Sequence, residues 1–147
     1  MYTPDEIQAA SCAQDAAAMW WASVLENPRF DNGDTSPGGG MTAAMAVLAR
    51  GNTSVQTDVL KAFERELSLT LNTMLSGNDG YYLEHGVVLD VDYGPDEILS
   101  RCAEKVGFRG GIVGWPWKTL MRVKLDEVKV SYGYGAEPVV IWTRAAE

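Results

Sequence analysis

A chain of 147 residues with an apolar fraction of 46% and five tryptophans is long enough for one packed domain and too apolar for a disordered tail. Its net charge of −8 argues against direct binding of bare nucleic acid, because phosphate neutralisation must come from Lys and Arg. The longest apolar stretch, residues 16–22, falls short of the ~18–20 residues needed to cross a bilayer. The acidic start Tyr2-Thr3-Pro4-Asp5-Glu6 lacks the basic flank of a signal peptide. With only two cysteines, the expectation is a cytoplasmic protein with reduced thiols, no membrane association and no cofactor.

In chain order, Thr3-Pro4-Asp5-Glu6 supplies a capping hydroxyl, a proline at the first helical position and a carboxylate that reaches back to the cap. This predicts one helix running to Asn27-Pro28. Ile7, Ala10, Gln14, Ala17, Ala18, Trp21, Val24 and Leu25 fall on one face. Cys12, Ala16, Met19 and Trp20 make the other face apolar too, as in a helix buried between layers. Residues 27–40 form a loop rich in turn formers, and a short helix follows over about 42–49. Thr53-Ser54-Val55-Gln56 opens a longer helix to about residue 75, with the stripe Leu60, Phe63, Leu67, Leu71 and Met74.

Past a turn cluster at 76–80, residues 81–93 read as a strand with Val87, Leu89 and Val91 alternating against Val88, Asp90 and Asp92. Pro95-Asp96-Glu97-Ile98 starts a helix that ends near Gly107. A β-meander closes the chain. Thr119, Met121, Val123 and Leu125 are expected on one side, a tight turn at Asp126-Glu127 follows, then Val128 and Val130, and a last strand covers 139–142. The whole is one domain of the α+β class, N-terminal helices packed against a C-terminal, mainly antiparallel sheet, with the helical part over about 1–77.

Charge is segregated. Residues 1–107 carry 16 acids and 6 bases, whereas 108–147 carry 4 acids and 6 bases. Between 79 and 97, Asp79, Glu84, Asp90, Asp92, Asp96 and Glu97 occur with no Lys or Arg. Such a surface, extended by Asp31 and Asp34, favours a protein partner with a basic patch. Trp115-Pro116-Trp117 is a rigid candidate docking element, since Trp dominates binding hot spots. In size and charge alone, without a shared motif, the chain is similar to phage and mobile-element inhibitors, including anti-CRISPR and anti-restriction proteins. That likeness implies an inhibitor docking by charge on a nucleic-acid-binding partner.

Two other classes remain open. Gln8-Ala9-Ala10-Ser11-Cys12 and His85-Gly86-Val87, leading to Tyr93-Gly94-Pro95, partly resemble papain-like cysteine proteases. The resemblance implies a hydrolase with Cys12 as nucleophile, His85 as its base and Gln8 as oxyanion donor, with Asp90 or Asp92 as the substitute for the residue that orients the imidazole. The Gln-to-Cys spacing is shorter than in that family, and no Asn-Ser-Trp follows. A virion or assembly subunit, associating through a strand edge at 139–142, is the other class, so the oligomeric state stays open. Asp90, Asp92, Asp96 and Glu97 offer only oxygen ligands and lack the terminal Glu of a calcium loop, so no metal is expected. Gly38-Gly39-Gly40 lacks the Lys-Ser/Thr ending of a phosphate loop and reads as a connector. Lys118, Arg122, Lys124 and Lys129 on one hairpin face read as a solvated sheet face.

Overall fold

The computed structural model describes residues 2–26, 57–77, 80–92, 94–107, 118–132 and 136–144. The loop at 27–40, the short helix at 42–49, the second capping box, and Asp31, Asp34, Asp79, Trp115 and Trp117 lie outside them.

Thr3 caps α1 (Pro4–Gln8) with both arms of the capping box: Glu6 N–H donates to Thr3 Oγ1 at 3.1 Å, and Thr3 N–H donates to Glu6 Oε1 at 3.0 Å. The single long helix expected here is two helices, because α2 (Ala13–Glu26) restarts after a break at residues 9–12. The cause is tertiary. The Trp142 indole Nε1 donates to Ala10 C=O at 3.0 Å, taking the carbonyl that a continuous helix would give to the N–H of residue 14. Gln8 Nε2 donates to Thr143 C=O at 3.1 Å beside it. Packing on the distant strand outweighs local helix propensity.

Helix α2 is buried nearly all round. Ala13, Ala16, Ala17, Ala18, Trp20, Trp21, Ala22 and Leu25 are all buried, and the two tryptophan rings meet edge-on with centroids 4.9 Å apart. It packs on α3 (Thr57–Ser76), whose Leu60, Phe63, Leu67, Leu71 and Leu75 are buried while Met74 is half-buried. Polar links fix the pair: Ser68 Oγ donates to Asp15 Oδ1 at 2.6 Å, and Gln14 Nε2 to Asn72 Oδ1 at 3.2 Å.

Residues 81–85, expected as the start of a strand, belong instead to the short helix α4 (Gly80–His85). Gly86 ends it with φ +81°, its N–H donating to Tyr82 C=O at 2.9 Å, the left-handed stop that releases the chain into a strand. That strand, β1 (Val87–Val91), turns Val87, Leu89 and Val91 inward and Val88 and Asp90 outward. Next come α5 (Glu97–Lys105), β2 (Thr119–Val123), β3 (Glu127–Tyr132) and β4 (Val139–Thr143).

The sheet is an antiparallel meander in the order β1-β2-β3-β4. Its inner face, with Met121, Val123, Val128, Val130 and Trp142, shares one core with α2 and α3. One rung crosses all four strands through Val87, Val123, Val128 and Trp142. The hairpin turn sits one residue earlier than expected. Lys124 N–H to Glu127 C=O (2.9 Å) and Glu127 N–H to Lys124 C=O (3.3 Å) close a two-residue loop. Leu125 therefore lies in the loop, 40% exposed and off the inner face, and Glu127 belongs to β3. On β4 the partners of Val128 and Lys129 are Trp142 and Val140, which leaves Ile141 as an extra residue, a bulge.

Candidate functional site

The site is built on three elements. Along α3, Glu66, Thr70 and Met74 recur at every fourth position; along α5, Ile98, Arg101, Cys102 and Lys105 share a face. Between these helices and the outer edge of β1 opens a groove of about 770 Å³ with Met74, Tyr82, Val88 and Ile98 as its apolar lining. Glu66, Asp90, Asp96 and Glu97 stand around it against Arg101 and Lys105.

Asp96 sits where β1 turns into α5. One carboxylate oxygen accepts from Leu99 N–H at 2.9 Å as the helix cap, and the other accepts from Asp90 N–H at 2.8 Å. Burial pushes its carboxyl above the usual carboxylate range, opposed by those N–H donors. Glu97 is exposed and pairs with Arg101 one turn on. Lys105 Nζ reaches Glu66 Oε1 at 2.8 Å and ties α5 to α3, and this hydrogen bond raises the lysine pKa. Deeper, Cys102 Sγ lies 3.6 Å from Thr70 Oγ1, and burial pushes the Cys102 thiol up.

Of the acidic residues picked out in the sequence, the fold brings Asp90, Asp96 and Glu97 to this groove. Glu84 precedes β1 on α4, exposed, its Oε2 3.7 Å from His85 Nε2. Asp92 follows β1, exposed, its N–H donating to Gly94 C=O at 3.2 Å. Three of the acids thus gather at the groove, while Glu84 and Asp92 lie before and after β1 in the chain and are not among its lining. Sequence reasoning missed the α3 residues of the groove and the α5 residues beyond Glu97. Their only signal is a second polar-and-apolar stripe beside each helix's core stripe.

No protein-family model matches the chain, and no curated protein matches it.

The protease-like residues are not assembled. Gln8 spends its side-chain amide on Thr143, and the neighbouring Ala10 is held by Trp142 on β4. His85 leads into β1 at the opposite edge, its ring against Tyr81 at 4.7 Å and its carbonyl accepting from Arg122 Nη1 at 3.3 Å. Val87 and Trp142 are separated by three strand spacings along one rung, roughly 14 Å. Cys12, two residues from Ala10, therefore belongs to the β4 side and His85 to the β1 side; Asp90 also belongs to the β1 side. Among the described residues, no three His, Cys, Asp or Glu side chains are placed to hold a metal ion. No helix among them is long and apolar enough to cross a membrane.

Proposed function

We propose that this chain is a small cytoplasmic protein-binding domain that docks by charge on a basic, nucleic-acid-binding protein and inhibits it, in the manner of phage or mobile-element inhibitors. The observation that carries this reading is the groove beside β1, where four carboxylates and two cations surround an apolar lining. Its excess of negative charge repels phosphate and draws in Lys and Arg, while the apolar lining supplies buried area. Glu84 and Asp92 extend the acidic edge to either end of the strand. Charge of this kind sets on-rate and partner choice more than raw affinity.

The test reverses Asp90, Asp92 and Glu97 to Lys and leaves Asp96 intact, because Asp96 is a helix cap and its loss would confound binding with folding. Wild type and variant serve as bait in extracts of the native cell, with mass spectrometry at low and high salt. Basic partners that leave both in the variant and at high salt support the reading. An identical partner set with an identical salt response would remove it.

A further inference from the structure

We infer that the outer edge of β1 at Val88 receives an extended segment of the partner as a fifth strand, with a Lys or Arg of that segment lying against the acidic rim. This rests on the docking function proposed above and specifies how the groove is filled.

The geometry begins with backbone direction. Both the N–H and the C=O of Asp90 point away from β2: the first donates to Asp96 Oδ2 at 2.8 Å, the second accepts from Asp96 N–H at 2.9 Å. An antiparallel strand repeats every two residues, so the N–H and C=O of Val88 point the same way. Among the described residues no backbone or side-chain group bonds them, and Val88 lines the groove. A strand laid beside β1 would satisfy both groups at once, the way an extended peptide joins an open sheet edge.

The surroundings select the guest. Met74, Tyr82 and Ile98 offer apolar contact to one set of alternating side chains. Glu97 is already matched by Arg101 and Glu66 by Lys105, so the charge left over on the rim is that of Asp90 and Asp96, and the Asp90 carboxylate, two residues from Val88, asks for a cation in the other set. Asp96 closes the edge beyond Asp90, and the Val91–Pro95 bridge follows it, so the open stretch is short. The fitting ligand is therefore a brief apolar-basic extended segment, not a long β-hairpin.

The test uses an end-capped peptide of alternating Lys and Val, and the same peptide N-methylated throughout, which keeps every side chain and charge but donates no backbone hydrogen bond. Each is titrated into isotopically labelled protein. The expected result is binding of the first peptide with slowed hydrogen exchange at the Val88 amide, and a dissociation constant about tenfold or more weaker for the methylated one. Val88→Pro, which removes the same N–H from the protein, should weaken binding similarly; its unfolding midpoint shows whether it is folded, and if it is not the peptide pair decides alone. Equal, salt-sensitive binding of both peptides, or no added protection at Val88, overturns strand addition and leaves charge docking standing. Failure of both peptides to bind overturns the two together.

Discussion

Asp90 and Asp96 are joined twice across the turn that follows β1, the Asp90 N–H donating to an Asp96 carboxylate oxygen and the Asp96 N–H donating to the Asp90 carbonyl. A residue that reads as surface charge is thus a structural staple between an edge strand and the helix it caps. Asp96→Ala removes a cap and strips Asp90 N–H of its partner, so a loss of about 2–3 kcal/mol is expected in urea unfolding. Asp96→Asn, which keeps an acceptor, should lose less.

The same carboxylate has a definite pH signature. Its folded pKa is raised, chiefly by burial, so the folded state holds this proton longer than the unfolded state does. The stability it contributes is fully present below the unfolded value of about 3.9 and is lost as pH rises through the folded value. Wild-type stability minus that of Asp96→Asn should decline across that window. An Asp96 titration by NMR with a midpoint below the ordinary carboxylate value would contradict the assignment.

Gly86 stands where no other residue fits. A Cβ there would lie 2.7 Å from Val123 C=O and 2.8 Å from Lys124 Cγ, on a backbone with φ +81°. Gly86→Ala should cost about 2–4 kcal/mol from strain and displaced backbone together. It should also disturb the amide shifts of both α4 and β2, which a purely local defect in the turn would not do.

The two thiols should separate cleanly. Cys12 is partly exposed, whereas Cys102 is buried with its thiol pushed up. A neutral-pH thiol probe should label Cys12 in the native state and reach Cys102 only on unfolding, checked by peptide mapping. Fast labelling of Cys102 in folded protein would mean that the groove opens to its base.

At the alkaline end the marker is Tyr2. Burial and a hydrogen bond to Glu64 push its hydroxyl up to about 12. The unfolded chain releases this proton near 10, so the stability gained here is intact below that value and fades between about 10 and 12. Ultraviolet titration should show a late-titrating component that disappears in Tyr2→Phe.

Periodicity carried the architecture: the α3 stripe, the inward valines of β1 and the paired strands of the meander all follow from spacings of 3.6 and 2. What it concealed was set by contacts distant in sequence. The break between α1 and α2 depends on Trp142, 132 positions from Ala10, and nothing in Ala9-Ala10-Ser11-Cys12 is a strong local stop. Tyr81 and Tyr82 favour strands by type, yet Gly86 ends a helical turn behind them. For the groove, an acid that caps and an acid that faces a partner look alike in sequence, so the bond from Asp90 N–H to Asp96 and the Lys105–Glu66 link between two helices were not legible there.

The extra residue at Ile141, together with the Gln8 amide that bonds Thr143 C=O and the Trp142 indole that bonds Ala10 C=O, leaves the far border of the sheet kinked and tied to the N-terminal segment at its end. Copies crowded together meet an interrupted ladder there, so stacking into fibrils through that border is disfavoured relative to a straight strand.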